Sequence, residues 1–296
     1  MAMDLTTKYQ PYVDEVFTTE SKKSLLTNND FSWTGAHTIK VYKVTTGQMN
    51  DYDRPGENMG KVVVDEDSET QTVMLSRYGA IESLDATTEE MTLKKDRSFT
   101  FAIDKLDADE TQQQLSGASA LARQQREVVI PEVDAYTYGV MATGAGTKPA
   151  ALTLTETNIY TEIIKANTVL DDAEVPDDGN RSIVVTPAVL ELMKKCDDIT
   201  LNSDIGAELR LKGVVADLDG LHVIKIPKKR LPANFGFMVA HPCATVAPTK
   251  LEEYKLHSSP PFISGDLVEG RIVYDAFVLD NKKMAIYYQE NKAATG

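Results

Sequence analysis

The residues of this sequence that could carry out chemistry are few and widely spaced. His241 and Cys243 stand two residues apart and could supply two zinc ligands, but no second pair with zinc-site spacing accompanies them. No two of the four histidines are four residues apart, the spacing that places two ligands on one helical face. Two cysteines, Cys196 and Cys243, are too few for a disulfide framework, so we expect reduced, packed thiols. The sequence therefore predicts neither a metal centre nor a cofactor.

Phosphate binding and acid–base catalysis have no better support. The glycine-rich segment Gly144–Lys148 resembles a phosphate-binding loop in composition only, because it follows a predicted helix, whereas such a loop follows a strand and opens a helix. The adjacent acidic pairs at 171–172, 177–178 and 197–198 lie near predicted element ends, and we interpret them as caps and turns. No Gly-x-Ser-x-Gly nucleophile elbow is present. We predict that the protein is not an enzyme.

The charge balance argues against sequence-specific binding of nucleic acid. Asp and Glu total 45 against 31 Lys and Arg, a formal net charge of −14, and such a surface repels phosphate. The basic cluster Lys228–Arg230 is predicted to be a solvated turn, with an anion or subunit contact as the alternative. No run approaches the ~18 apolar residues of a membrane-spanning helix. The first residues lack the apolar core of a signal peptide, so we expect an intracellular site of synthesis.

The element that must organise these segments is a long helix predicted over residues 107–143. Apolar residues recur there at helical spacing, and together they predict one apolar face: Leu115, Ala118, Ala122, Val129, Val133, Tyr136 and Val140. Asp107 and Glu110 have the spacing of a capping box, and Gly139, Gly144 and Gly146 could end the helix. Pro131 predicts a kink or short break after Ile130, the alternative being two ordinary helices joined at Pro131.

Strand patterns precede this helix. Residues 39–44, 62–64 and 73–75 are rich in branched and aromatic side chains, and the polar segment Gly47–Gly60 lies between the first two runs. We interpret the first two runs and this polar tip as a long hairpin that rests on a neighbouring subunit, because isolated hairpins are marginally stable; a mobile surface flap is the alternative. Residues 1–32 form a polar arm with too few apolar anchors for a core of its own.

The rest of the chain predicts an α+β domain. A helix capped by Thr155 carries Ile159, Ile163, Ala166 and Leu170 on one face, and Thr186 and Pro187 begin a second helix. Asp219-Gly220 joins two short strands as a tight hairpin. Further strands are predicted at 182–185, 237–240, 249–256, 271–279 and 283–288, and Ser258–Gly265 forms a proline-rich projecting loop.

This succession of segments resembles the major capsid proteins of tailed bacteriophages with the Hong Kong 97 fold. Four strings carry the resemblance along nearly the whole chain: Arg126–Ala135 is similar to the middle of that family's spine helix, Leu170–Pro187 to the start of its axial domain, and Gly220–Pro227 and Gly270–Leu279 to its later strands. The implied fold class is α+β. Its parts are an N-arm at 1–32, an extended β-hairpin loop at 33–84, a peripheral domain at 85–147 and 245–275 with spine helix 107–143, and an axial domain at 148–244 and 276–296.

The resemblance also implies a function. Such proteins form hexamers and pentamers of an icosahedral shell, the virion capsid, around double-stranded DNA, after assembly in the host cytoplasm. Expected partners are other copies of the chain, a separate scaffolding protein, a portal and a decoration protein, with no sequence-specific DNA contact and no membrane. Segments that cannot bury themselves then become contacts between identical chains. We predict that these subunit contacts include Tyr52, Arg54, Glu57, Arg123 and Arg126.

Two other functions compete with this one. An encapsulin-like compartment protein would use the same fold to hold cargo enzymes, and a terminase, portal or protease encoded nearby would separate the two. An extracellular binding module is a different class, suggested by the acidic, strand-rich sequence and opposed by the missing signal peptide.

Overall fold

The computed structural model describes residues 20–28, 31, 38–44, 46–47, 49–57, 62–64, 71–73, 76–78, 86–106, 117–199, 209 and 213–292. Its strands are β1 (Thr38–Val44), β2 (Val62–Val64), β3 (Gln71–Val73), β4 (Ala86–Thr92), β5 (Lys95–Asp104), β6 (Ser182–Val185), β7 (Val214–Leu218), β8 (Leu221–Lys225), β9 (Phe235–Ala240), β10 (Thr245–Val246), β11 (Thr249–Ser258), β12 (Gly265–Tyr274), β13 (Phe277–Val278) and β14 (Ile286–Glu290). Its α-helices are α1 (Gly117–Gln124), α2 (Ile130–Gly144), α3 (Ile159–Asp172) and α4 (Pro187–Lys195). The predicted α+β class is confirmed.

A five-stranded mixed sheet organises the largest core. Its order is β14-β9-β6-β8-β7, and β6 pairs in parallel with β8 while the other neighbours are antiparallel. All residues of β6 and β9 are buried, as expected for central strands covered on both faces. Asp219 and Gly220, both with positive φ, form the predicted hairpin turn between β7 and β8.

The helices beside this sheet follow the predicted apolar pattern. The four residues predicted for one face of α3, Ile159, Ile163, Ala166 and Leu170, are its buried residues. Thr186 caps α4 as predicted, because its Oγ1 accepts from the backbone N–H of Val189. The predicted Thr155 cap is wrong: α3 begins at Ile159, and Thr155 lies in the preceding turn.

A second sheet, in the order β11-β12-β5, is antiparallel throughout. On β5, the partly buried residues Phe99, Phe101 and Ile103 alternate with exposed residues. Val133 of α2 packs with Ile272 and Tyr274 of β12 in a small separate cluster, and Tyr136 joins it from the same helix. The helix therefore lies against this sheet on one side and reaches the main core on another.

The long predicted helix is continuous from Gly117 to Gly144, but residues Gln125–Val129 form one turn of π-helix between α1 and α2. Pro131 lies two residues after this π turn and has no N–H to bond the carbonyl of Glu127, which its ring also crowds, so the irregularity precedes Ile130 instead of following it. Gly139 lies inside α2, and the helix ends at Gly144. The predicted capping box at Asp107 and Glu110 lies outside the described residues.

The predicted single apolar face of this helix is also wrong. Ala118 and Ala122 are exposed, whereas Tyr138 and Met141 are buried in the main core. One extra residue in a π turn rotates everything before it by roughly 100° relative to the regular helix, because each residue turns the chain by that angle. Residues that keep a constant helical spacing before and after residues 125–129 therefore lie on different faces of the helix.

Residues His37–Thr92 form a compact unit of their own, and the remaining chain forms the other. Strands β1 and β2 confirm two of the predicted runs, but no pairing of β1 with β2 occurs among the described residues. Strand β1 pairs in antiparallel register with β4, a strand that the sequence analysis did not predict, and β2 pairs with β3 as a short inner hairpin. The strand predicted at 73–75 begins earlier, at Gln71, and its last two residues lie outside the described part.

The described base of the N-terminal segment is anchored on the chain's own core. Leu26 is fully buried, and Asn28 forms a parallel bridge with Val246 of β10. The Nζ of Lys22 donates to the carbonyl of Gly213. The predicted arm therefore gains part of its burial within the subunit, while the proposed anchors before residue 20 lie outside the described residues.

The last strands differ in detail from their predictions. The strand predicted at 271–279 is two elements, β12 and the short β13, and residues 280–285 form a 3₁₀-helix before β14. The projecting loop is confirmed as the connection between β11 and β12.

Gly146 provides a stability prediction with a matched control. Its backbone N–H donates to the carbonyl of Lys283 at 2.8 Å, and an added Cβ would lie 2.6 Å from that oxygen. Because the obstacle is backbone, we expect Gly146→Ala to lower the free energy of unfolding by about 1–3 kcal/mol. Gly139→Ala, in open space within α2, should raise it by about 0.5–1 kcal/mol. Urea denaturation of both variants measures the difference, and equal effects would contradict it.

Candidate assembly surfaces

The residues considered for metal binding form hydrogen bonds within the protein instead. His241 Nδ1 accepts from the backbone N–H of Cys243 at 3.3 Å, so Nε2 carries the proton that it donates to Asp178 at 3.0 Å. Hydrogen bonds from Asn180 and His241 lower the pKa of Asp178 to about 2. Both ring nitrogens of His241 are thus engaged, and the described residues contain no group of three or more His, Cys, Asp and Glu placed to hold a metal ion.

Other candidates from the sequence also have structural roles. Asp171 pairs with buried Arg181 at 2.6 Å. Gly144–Lys148 lies at the carboxyl end of α2, where Lys148 Nζ donates to the carbonyl of Thr143, so this segment offers no helix N-terminus to a phosphate. Within the described segments, no helix combines the length and hydropathy needed to cross a membrane.

The basic cluster Lys228–Arg230 is a turn with Lys228 and Lys229 exposed, as predicted, but its third residue is not solvated. It forms a 3₁₀ turn in which Arg230 is buried, and its Nη1 donates to Asp134 Oδ2 of α2 at 2.8 Å. Ser21 Oγ donates to the other oxygen, Oδ1, of Asp134 at 2.6 Å. Asp134 of α2 therefore binds both the N-terminal segment, through Ser21, and the basic cluster, through Arg230.

Three of the predicted contact residues lie on one loop of the unit His37–Thr92. Arg54 and Glu57 are exposed, and half of the Tyr52 side chain surface is accessible. The backbone around them is fixed: Asp53 Oδ1 accepts from the N–H of Gly56 at 2.9 Å, and the N–H of Asp53 donates to the carbonyl of Arg77 at 2.9 Å. The loop therefore presents its charged side chains on a defined backbone.

The same unit carries several exposed apolar side chains, of which only Tyr52 was predicted as a contact from the sequence. Tyr42 and Val44 lie on the solvent side of β1, and Tyr78 stacks edge-on against Tyr52 with ring centroids 5.0 Å apart. Five large apolar residues of this unit are exposed in the described chain: Tyr42, Val44, Met49, Tyr52 and Tyr78. The sequence of β1 could have indicated this exposure. Successive side chains of a strand lie on opposite faces, and large side chains occur on both faces of β1. Contiguous exposed apolar surface, such as that of the Tyr52–Tyr78 pair, is typical of an interaction surface.

The other two predicted contact residues, Arg123 and Arg126, lie on the long helix, away from that loop in sequence. Arg126 is exposed within the π turn and lies 3.7 Å from Glu127, whereas Arg123 near the end of α1 is half-buried. The two arginines thus belong to the unit that excludes His37–Thr92.

A cleft of about 120 Å³ opens between this helix and the second sheet. Its apolar lining comes from Phe99, Val128, Val129, Val133 and Ile272. Its polar residues are joined by hydrogen bonds to Glu132. The Oε1 atom of Glu132 accepts from Arg97 Nε at 2.7 Å and from the Tyr274 hydroxyl at 3.1 Å. Burial and the hydrogen bond to Glu132 contribute to raising the pKa of Tyr274.

Solved phage structures match this chain over almost its whole length. It is similar to the capsid structure of the cyanophage P-SCSP1u, with a TM-score of 0.70, 13% identity, and coverage of 98% of this chain and 93% of that chain. It is similar to the asymmetric unit of the bacteriophage PhiM1 mature capsid, with a TM-score of 0.66, 11% identity, and coverage of 97% and 92%. The chain has the fold of tailed-phage capsid proteins.

A structure that is not described as a phage also matches this chain. A virus-like particle from Pyrococcus furiosus matches with a TM-score of 0.51 and 10% identity, covering 92% of each chain. No model of a protein family matches the sequence, and neither does any curated protein.

Two further surface features of the described chain were not predicted as contacts from the sequence. These are the cleft beside the π turn and Phe262, which is fully exposed in the loop between β11 and β12. The cleft depends on the π turn and on residues from three elements, so no local sequence signal specifies it. Phe262 had a local signal, since the preceding Pro260-Pro261 pair favours a fixed turn.

Proposed function

We propose that this chain is a major capsid protein, which assembles as hexamers and pentamers into an icosahedral shell around double-stranded DNA. The similarity to phage capsid structures along nearly the whole chain carries this proposal. The exposed apolar side chains of the unit His37–Thr92 support it, because closed shells require contacts between different surfaces of identical chains. The role is structural and not enzymatic.

The predicted domains fit this role. The strands of the five-stranded sheet fall in residues 148–244 and 276–296, which we assign to the axial domain. The sheet of β5, β11 and β12 falls in residues 85–147 and 245–275, which we assign to the peripheral domain. Residues 1–32 are the N-arm. Residues 33–84 are the extended loop, to which we add β4, the strand that pairs with β1.

The proposed subunit contacts are Tyr52, Arg54 and Glu57 on the extended loop and Arg123 and Arg126 on the spine helix. Support comes from the fixed backbone of residues 53–56 and from the exposed aromatic pair formed by Tyr52 and Tyr78. A preordered loop loses less conformational entropy on contact than a flexible one, so weak individual patches suffice when many copies assemble.

The remaining partners follow from the same role. The net charge of −14 suits a shell that encloses DNA without adhering to it, since like charges repel. We propose a separate scaffolding protein, a portal and a decoration protein as partners, assembly in the host cytoplasm, and a final location in the virion.

Electron microscopy of the purified full chain tests the function directly. We expect closed particles or hexameric capsomers, whereas a uniform monomer at high concentration, both alone and after co-expression with the scaffolding protein, would overturn the proposal. The alternative is an encapsulin-like compartment, which the similarity to the virus-like particle favours. Co-expression with a portal and the DNA-packaging motor separates the two, because only a capsid would fill with DNA.

Arg54 provides a test of the extended loop. We expect Arg54→Glu to raise the concentration needed for assembly about tenfold, which corresponds to about 1.4 kcal/mol per contact, because a repulsive charge would face the neighbouring copy. Lys282→Glu, an equal charge change at an exposed site outside the proposed contacts, is the control. Light scattering against protein concentration measures both, and equal effects would show a general charge effect instead.

A further inference from the structure

The loop between β11 and β12 holds an aromatic ring in an unusual position. The N–H of Ile263 donates to the carbonyl of Pro260, which closes a turn with Pro261 and Phe262 at its centre. Phe262 has φ of +73°, and a proline followed by a positive φ is the pattern of a type II turn. The N–H of Ser259 donates to the carbonyl of Gly265 at 2.8 Å, and that of Lys105 to the carbonyl of Ser264 at 2.9 Å. Backbone hydrogen bonds therefore hold the residues on both sides of the turn in place.

Phenylalanine is costly at this position. The third residue of a type II turn is normally glycine or asparagine, and a left-handed conformation costs other residues about 1–2 kcal/mol. The ring of Phe262 is fully exposed, so its burial within the subunit offsets none of this cost. A strained and exposed aromatic residue indicates a role outside the subunit.

The cleft beside the spine helix has the size and lining to receive such a ring. Its volume is about 120 Å³, and apolar cavities of roughly 150 Å³ bind benzene. Phe99, Val128 and Ile272 supply the apolar wall, and the linked polar groups at Glu132 lie on one side. A buried apolar centre with a polar margin is the usual form of an interface hot spot.

The ring that enters the cleft must come from another copy. Phe262 precedes the start of β12 at Gly265, whereas the cleft uses Ile272, seven residues along the same strand. At ~3.3 Å per residue, these positions are about 23 Å apart. A subunit therefore carries a projecting ring and a receptor at opposite ends of one strand, which is the arrangement that a head-to-tail contact requires.

We propose that Phe262 of one copy inserts into the cleft lined by Phe99, Val128 and Ile272 of a neighbouring copy. This inference rests on the proposed shell function and names one of the contacts that would build it. The partner is a second copy of this chain, and the contact joins different surfaces of the two copies.

Phe262→Gly separates assembly from folding. Glycine is the preferred residue at this turn position, so the unassembled subunit should melt at a higher temperature than wild type, or at the same temperature. The concentration needed for assembly should nevertheless rise at least about tenfold. Val128→Trp, which fills the cleft, should impair assembly in the same way. Wild-type assembly by Phe262→Gly would overturn the contact while leaving the shell function intact, whereas failure of the wild-type chain to assemble would overturn the function itself.

A disulfide experiment identifies the receptor. Under oxidising conditions, the Phe262→Cys/Val128→Cys variant should form disulfide-linked ladders of many copies in assembled material, and each single variant should not. Covalent dimers of Phe262→Cys alone would show that the loops meet each other and would overturn the assignment to the cleft. Absence of ladders in the double variant, with assembly retained, would overturn it as well. Cys196 and Cys243 are present in every variant and so act as an internal background.

Discussion

Asp134→Leu is expected to destabilise the unassembled subunit by about 3–5 kcal/mol, because it leaves the Arg230 guanidinium buried without its carboxylate. Both side chains are only 2% exposed, and Arg230 Nη1 lies 2.8 Å from Asp134 Oδ2. Burial raises the pKa of Asp134, although the Ser21 hydroxyl and the Arg230 guanidinium act to lower it. Burial therefore opposes the ionised form of the carboxylate, and the hydrogen bonds from Ser21 and Arg230 favour it.

This balance predicts a rescue. Replacing both partners, in Asp134→Leu/Arg230→Met, removes both buried charges and should restore most of the stability that the single variant loses. Urea denaturation of dilute, unassembled subunits gives the free energies of unfolding for both single variants and the double variant. The coupling energy from this cycle should exceed about 2 kcal/mol. Additive losses would show that the two side chains stabilise the fold independently.

Residue types and spacing were sufficient to predict the elements whose signals are local. The turn at Asp219-Gly220, the Thr186 cap and the buried face of α3 each depend on residues within a few positions of one another. Their physical causes, which are positive φ, a side-chain hydrogen bond and helical spacing, are readable from the sequence alone.

The failures involve partners that are distant in the chain. β1 pairs with β4 across more than forty residues, and the acidic and threonine-rich sequence of β4 has no clear strand pattern. Lys228–Arg230 has the composition of a surface turn, and only Asp134, 96 residues away, explains why Arg230 is buried. The helical phase also failed, since a π turn shifts the register without changing local composition.

The candidate contacts divide in the same way. Exposure of Arg54 and Glu57 could be predicted from a polar, turn-rich segment, and the structure places them on a fixed loop. The cleft could not be predicted, because its walls come from β5, the π turn with α2, and β12. Assembly surfaces are formed by tertiary structure, so sequence patterns identify single exposed groups more readily than receptors for them.

Arg181 is the second site where one substitution should have a large effect. Its side chain is 2% exposed and holds the connection between α3 and β6. Nη1 donates to Asn167 Oδ1 at 2.8 Å and to Asp171 Oδ1 at 2.6 Å, both on α3. Nη2 donates to the carbonyl of Val175 at 2.5 Å and Nε to that of Pro176 at 3.0 Å. One guanidinium therefore satisfies two side chains and two backbone carbonyls.

We expect Arg181→Met to lower the free energy of unfolding by about 3–5 kcal/mol, because hydrogen bonds to charged groups contribute ~1.5–3 kcal/mol each and buried acceptors would lose their donor. Arg181→Lys should recover only part of this loss, since a lysine ammonium cannot reproduce the planar fork that reaches both carbonyls. Arg271→Met is the matched control. Arg271 also pairs with an aspartate, Asp96, but both side chains are more than half exposed, so its loss should have little effect on the free energy of unfolding. Denaturation of the three variants at low protein concentration measures the effects, and equal losses at positions 181 and 271 would show that burial of the guanidinium does not determine its contribution.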